Sequence, residues 1–251
     1  MTRTKRRLLI TLAVILSLVA LAVGAAAIYL GDYYRADEAA LAAYPPAAGI
    51  TESVTEGGDI VVAPASADVG LIFYPGGKVE HRAYLPLCRA LAERGILCVI
   101  VEMPFRLAVL DVDAADGIPE QYPSVKSWYI GGHSLGGSMA ASYLADHPED
   151  FSGLCLLASY STADLSDTGL SVLSVYGSAD GVLNMEKYEE YKGNLPAATV
   201  EAVLDGGCHA YFGAYGAQSG DGTPTLTLAE QIAATVGLFA DLVAADPEYG
   251  G

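Results

Sequence analysis

Basic residues are scarce in this sequence. It carries 13 Lys and Arg against 30 Asp and Glu, a formal net charge of −17, and four of the basic residues (Arg3, Lys5, Arg6, Arg7) fall within the first seven positions. No acid precedes Asp32, so the remaining nine cations face all 30 acids. Such a field repels a phosphate backbone, which excludes nucleic acid as a partner, and the acidic excess reads as a solvated surface. Cysteine is also sparse: four in 251 residues, with no CxxC pair, too few for a disulfide-built scaffold. Cys98 and Cys155 lie in the apolar runs GILCVIVEMP and FSGLCLLASY, where a small buried thiol is expected. Charged residues make up only 17% of the chain and apolar residues 52%, which excludes a disordered or fibrous protein and leaves material for a sizeable core.

Charge is missing altogether from Leu8 to Leu30, a run of 23 residues. As a helix it would reach about 34 Å at roughly 1.5 Å per residue, enough to cross a hydrocarbon core of about 30 Å. A cleaved signal peptide usually has a shorter apolar region, of about 7 to 15 residues, so length favours a retained anchor. Ala25, Ala26 and Ala27 nevertheless supply a small-residue cleavage site, which keeps secretion as the alternative. With the basic cluster before the run and acidic sequence after it, the positive-inside bias leaves residues 1–7 cytoplasmic and exports the rest. The expectation is a single-pass protein of the cell membrane whose main domain is extracytoplasmic. Residues 31–48 (GDYYRADEAALAAYPP and the two alanines after it) read as a short stalk, with the folded domain at 49–251.

Within that domain, short apolar runs alternate with amphipathic stretches. Strands are predicted at 69–75, 96–104, 127–134, 151–159, 171–178 and 199–206, and helices at 82–94, 135–147, 184–191 and 227–243. Near-continuous apolar strands separated by helices indicate an α/β fold, a mostly parallel sheet covered by helices on both faces. GDIVVAPA at 58–65 is predicted to add an antiparallel edge strand.

The sharpest chemical signal is Gly132-His133-Ser134-Leu135-Gly136, where a strand ends in G-x-S-x-G and a helix begins at once. This is the setting of a nucleophile elbow, in which the serine occupies a tight, strained turn and flanking side chains would collide with the neighbouring strand and helix. A serine hydroxyl needs a base, and the base needs a carboxylate to orient it. Of the four histidines, His133 lies inside the elbow and reads as structural, His147 suits the C-terminus of the elbow helix, and His81 follows the first glycine loop. His209, directly after the last predicted strand, sits where a catalytic base belongs, at the carboxyl edge of the sheet. Asp180 ends the preceding strand and is the candidate acid. Asp164 and Asp167 are fallbacks one loop earlier, and Asp205 is too close to His209 in sequence. For the oxyanion, one donor is expected from Leu135 N–H and the second from Gly77 or Lys78 in FYPGGKV.

The order Ser134, Asp180, His209, together with FYPGGKV, GGHSLGG, VYGSADG, GGCHAYFGAYG and the later GDG, resembles the α/β-hydrolase superfamily over residues 50–245. Within it, these motifs resemble the small esterase or lipase-like branch, which often stands behind a membrane anchor. That resemblance implies an α/β-hydrolase fold preceded by one transmembrane helix, and hydrolysis of a small-molecule ester through an acyl-enzyme, with no metal or organic cofactor. An acyltransferase using the same three residues, or a non-catalytic binding protein on the scaffold, are the alternatives. The interval from Tyr160 to Leu170 leaves only about ten residues where larger lipases insert a lid, so the site is expected to be open and to favour short acyl groups. Phe105, Tyr211 and Phe212 are the expected rim.

Overall fold

A computed structural model describes residues 2–246 and divides the chain into two units between Tyr33 and Tyr34. The first holds one helix, α1 (Arg3–Gly31), capped by Thr2, whose hydroxyl accepts the Lys5 N–H. It is long and apolar enough to cross a membrane, and none of its residues is buried against protein.

The second unit contains eight strands: β1 (Thr51–Val54), β2 (Ile60–Ala63), β3 (Val69–Tyr74), β4 (Ile96–Ile100), β5 (Ser127–His133), β6 (Gly153–Leu157), β7 (Ser171–Gly177) and β8 (Val200–Leu204). They form one sheet in the order β1-β2-β4-β3-β5-β6-β7-β8, with β2 antiparallel to both its neighbours and every pairing from β4 to β8 parallel. The expected α/β-hydrolase sheet is therefore present, with one correction. The 58–65 segment is not the edge, because β1 pairs outside it, Thr51 opposite Ala63 through Val54 opposite Ile60. All four residues of β1 are exposed, and so short a polar strand has no apolar alternation to announce it.

Helices α2 (Glu38–Ala43), α3 (Leu85–Ala92), α4 (Ile118–Gln121), α5 (Leu135–Asp146), α6 (Met185–Tyr191) and α7 (Leu228–Ala245) complete the unit. α7 starts with a capping box: Thr227 Oγ1 accepts the Glu230 N–H while the Glu230 carboxylate accepts the Thr227 N–H. Strand alternation splits the core in two. Val69, Leu71 and Phe73 of β3 join Leu87 and Leu91 of α3 and Ile232, Val236 and Phe239 of α7 on one face. Ile72 and Tyr74 join Trp128, Ile130 and the Ala140, Ala141 and Leu144 side of α5 on the other. Burial on both faces explains why these strands read as unbroken apolar runs. All four cysteines are buried free thiols, as the apolar setting of Cys98 and Cys155 predicts.

The expected stalk at 31–48 needs a second correction, because from Tyr34 onward the segment is packed on the domain. Tyr34 forms a bridge with Val79, its N–H donating to Lys78 C=O at 2.8 Å and its C=O accepting the Glu80 N–H at 2.9 Å. Leu41 and Ala36 enter the core, and Arg89 reaches the carbonyls of Leu41 and Tyr44. Small and polar composition resembled a linker; the contacts make residues 34–44 a strap.

Candidate active site

β5 delivers Ser134 to the carboxyl edge of the sheet in a left-handed conformation, φ 53° and ψ −123°. The strain is held by close backbone packing. A Cβ on Gly132 would lie 2.5 Å from Tyr74 O, and one on Gly136 would lie 2.2 Å from the same oxygen and 2.3 Å from Pro75 O. The Ser134 N–H is tied to Leu157 C=O at 2.9 Å, and its own carbonyl accepts the Ser159 hydroxyl at 2.7 Å. Although Ser134 occupies the N-cap position of α5, its side chain caps nothing, so Oγ stays available. Among the described residues, the non-glycine positions with positive φ are Lys78, Phe105, Arg106, Ser134 and Ala158, and each follows the end of β3, β4, β5 or β6. Strained backbone concentrated on one edge makes that edge the candidate for function.

Asp180 follows β7 and His209 follows β8, and the structure brings these two together: His209 Nδ1 lies 2.9 Å from Asp180 Oδ2, with 1% and 0% of their side chains exposed. Asp180 Oδ1 accepts the N–H groups of Val182 and Leu183 at 2.8 Å each, which fixes the carboxylate and satisfies its other oxygen. His209 Nε2 is buried and has no hydrogen-bond partner among the described residues, so its bond to Ser134 Oγ is unmade in this structure. Such bonds commonly close only around bound substrate.

The fallback acids make other contacts. Asp164 is tied to Ser166, Asp205 accepts the Ser178 hydroxyl, and Asp167 is exposed. His81 lines a groove with Glu102, Arg89 and Gly58 beside the antiparallel strands, and His147 closes α5, stacked on Tyr143. His133 supports the site from beneath. Its ring is 4.5 Å from that of His209, and its Nδ1 is 2.8 Å from Tyr84 OH, which also accepts the Gly76 N–H at 2.9 Å. Burial, with the neighbouring His209, holds its pKa well below the ordinary 6.5, so it is neutral.

The oxyanion alternatives narrow. Lys78 N–H is spent on Arg106 C=O at 2.8 Å, which corrects its candidacy and leaves Gly77. Gly77 lies against the elbow: a Cβ there would meet Leu135 Cδ2 at 3.0 Å. The expected rim is likewise corrected. Phe105 is 59% exposed on the turn after β4, and Tyr211 is half-buried, but Phe212 is 1% exposed, because the 3-10 turn Ala210–Phe212 carries it into the core against His133. Between β6 and β7 the described residues form no helix, and Ser161 and Leu165 pack inward. Tyr84 and Asp221, which also shape the site, were not singled out in the sequence; the one signal for Asp221 is its place between two glycines in GDG.

A family model described as the alpha/beta hydrolase family matches residues 70–233. Comparison with curated proteins gives no match. Among solved structures, TT1662 from Thermus thermophilus superposes with a TM-score of 0.56 at 15% identity, covering 77% of this chain and 98% of its own. The predicted CIB-like hydrolase from Thermoplasma acidophilum gives 0.55 at 15%, covering 76% and 98%. Est1E from Butyrivibrio proteoclasticus gives 0.55 at 14%, covering 78% and 100%. At these identities the likeness is one of fold.

Proposed function

Since the chain belongs to the alpha/beta hydrolase family, we propose that it is a serine hydrolase that cleaves small carboxylic esters through an acyl-enzyme on Ser134. The observation that carries this reading is the buried His209–Asp180 pair at 2.9 Å, on the same sheet edge as a serine held in a strained, uncapped turn. Ser134 Oγ attacks the ester carbonyl as His209 Nε2 takes its proton. Asp180 accepts from Nδ1–H, fixing the tautomer that leaves Nε2 basic and stabilising the imidazolium. The developing oxyanion is met by the N–H groups of Leu135 and Gly77, neither of which another described group engages. His209 returns the proton to the leaving alcohol, then activates water to release the acid and regenerate Ser134. Each step uses only groups of this chain, water and substrate. With no helix among the described residues between β6 and β7, and Phe105 and Tyr211 as the rim, short acyl groups are the expected substrates.

The apolar helix α1 behind its basic cluster supports a membrane anchor, with the catalytic unit on the extracytoplasmic side. Full-length protein is then expected to stay with membranes through a carbonate wash. A mature N-terminus near residues 25–28 would establish cleavage and secretion instead.

The catalytic reading is tested by Ser134→Ala. Hydrolysis of a short p-nitrophenyl ester should fall on the order of 10⁶-fold, fluorophosphonate labelling should vanish, and the protein should remain folded. Activity within tenfold of the parent would remove Ser134 as nucleophile.

A further inference from the structure

The loops that carry the acid and the base are joined by a side chain from a third loop. Asp221 lies between Gly220, φ +86°, and Gly222, and this loop packs backbone to backbone on the acid loop. A Cβ on Gly222 would come within 2.0 Å of Ala179 O, and one on Gly181 within 2.4 Å of Gly220 O, so glycine is required on both sides of the contact.

From this seat the Asp221 carboxylate spans both loops. Oδ1 accepts the N–H of Gly181, the residue after Asp180, at 3.1 Å, that of His209 at 3.1 Å and that of Gly222 at 2.9 Å. Oδ2 accepts the Ala210 N–H at 2.8 Å. Burial works against the charge, but the four N–H donors outweigh it and hold the carboxyl below the usual carboxylate range. The staple is therefore ionised at neutral pH, and its hydrogen bonds are of the stronger, charge-assisted kind.

We propose that Asp221 is a positioning residue for proton transfer: it locks the backbone after Asp180 to the backbone of His209, so that the imidazole meets both its acid and the nucleophile at one fixed angle. This rests on the reading of Ser134, Asp180 and His209 as the catalytic groups. Asp221 itself moves no proton; its effect passes through the two loops. A neutral amide cannot replace it. With the amide oxygen of an asparagine left to Gly181, His209 and Gly222, its NH₂ would face the Ala210 N–H, donor against donor.

Full-length Asp221→Asn and Asp221→Ala are compared with the parent in detergent on p-nitrophenyl acetate, well below each protein's Tm. The low-field proton NMR signal of His209 Nδ1–H is recorded alongside. A misplaced base costs transition-state stabilisation rather than ground-state binding, so kcat should fall about 100-fold while KM stays within about threefold. The Nδ1–H signal should be lost or displaced. A folded Asp221→Asn protein with parental kcat and an unmoved signal overturns the proposal. So does a variant that loses Tm alone, since Asp221 would then only stabilise the fold. Should Asp221→Ala fail to fold, the equal-sized Asp221→Asn decides. Should the parent itself neither turn over ester nor take up fluorophosphonate, the catalytic reading fails, and the Nδ1–H signal still decides the positioning of His209.

Discussion

On the β7–β8 side of the sheet, the loops carrying Asp180 and His209 touch backbone to backbone. A Cβ on Gly177 would lie 2.2 Å from the carbonyl of Gly207, and Ala179 N–H donates to that same carbonyl at 2.9 Å. On the β3–β4 side, the loops carrying Gly77 and Phe105 are joined by the Lys78 N–H to Arg106 C=O hydrogen bond, hold three non-glycine residues at positive φ, and expose Phe105, Val109 and Leu110. Proton transfer as proposed depends on the angle between base and acid, and here that angle is restricted by backbone contacts together with the Asp221 carboxylate. Substrate shape is read by side chains, and on the esterase reading the loops that would meet it keep theirs in solvent.

The contrast breaks most readily at Gly177. An alanine there has no space on the closed side, so Gly177→Ala should cost about 2 to 3 kcal/mol, or about 5 to 10 °C in Tm, by the usual scale of overpacking. It should also reduce kcat by displacing Asp180. An unchanged Tm would mean that the two loops part easily. At the interface between the sides, His133 is neutral in the fold with its pKa well below 6.5, whereas the unfolded chain takes up a proton near its ordinary value. The unfolded state then binds more protons, so stability falls as pH drops below about 6.5, by up to about 1.4 kcal/mol per pH unit for this one group. His81, also lowered mainly by burial, adds to the same window. Thermal unfolding from pH 7.5 to 5 should show this slope, and His133→Asn should reduce it; an equal slope in the variant removes His133 as its source. The smallest effect is expected on the open side. Phe105→Ala should leave Tm unchanged and alter kcat/KM for acyl groups of four to six carbons by only about threefold, one apolar contact's worth. A preference for chains of twelve or more carbons in the parent would replace the short-acyl reading with an apolar groove.

The parallel strands, the elbow and the pairing of His209 with Asp180 are legible in the sequence because each rests on local pattern: apolar runs, small residues around a serine, and a fixed chain order. What escapes is set by packing between distant segments. β1 is four exposed residues whose identity as a strand comes from β2. Residues 34–44 have a linker's composition and gain their structure from Val79, Glu80 and Arg89. Phe212 is an aromatic after a histidine, and no periodicity tells rim from core in a 3-10 turn. Lys78 and Gly77 are neighbours in one loop, and only the partner of each N–H separates them.

The strap sets a rule for where this polypeptide can be shed. Its hydrogen bonds on the domain run from Tyr34 through Ala36 and Asp37 to the carbonyls of Leu41 and Tyr44. A cut before Tyr34 leaves these hydrogen bonds in place. A cut between Ala36 and Asp37 takes away the Tyr34 bridge with Val79 and its hydrogen bond to Lys78 C=O, next to Gly77, and the Ser219 N–H contact with the Tyr34 hydroxyl, two residues from Asp221. A break ahead of the strap would thus keep its ties to both loops, whereas trimming by three more residues would remove a tie from each of the two loops at once.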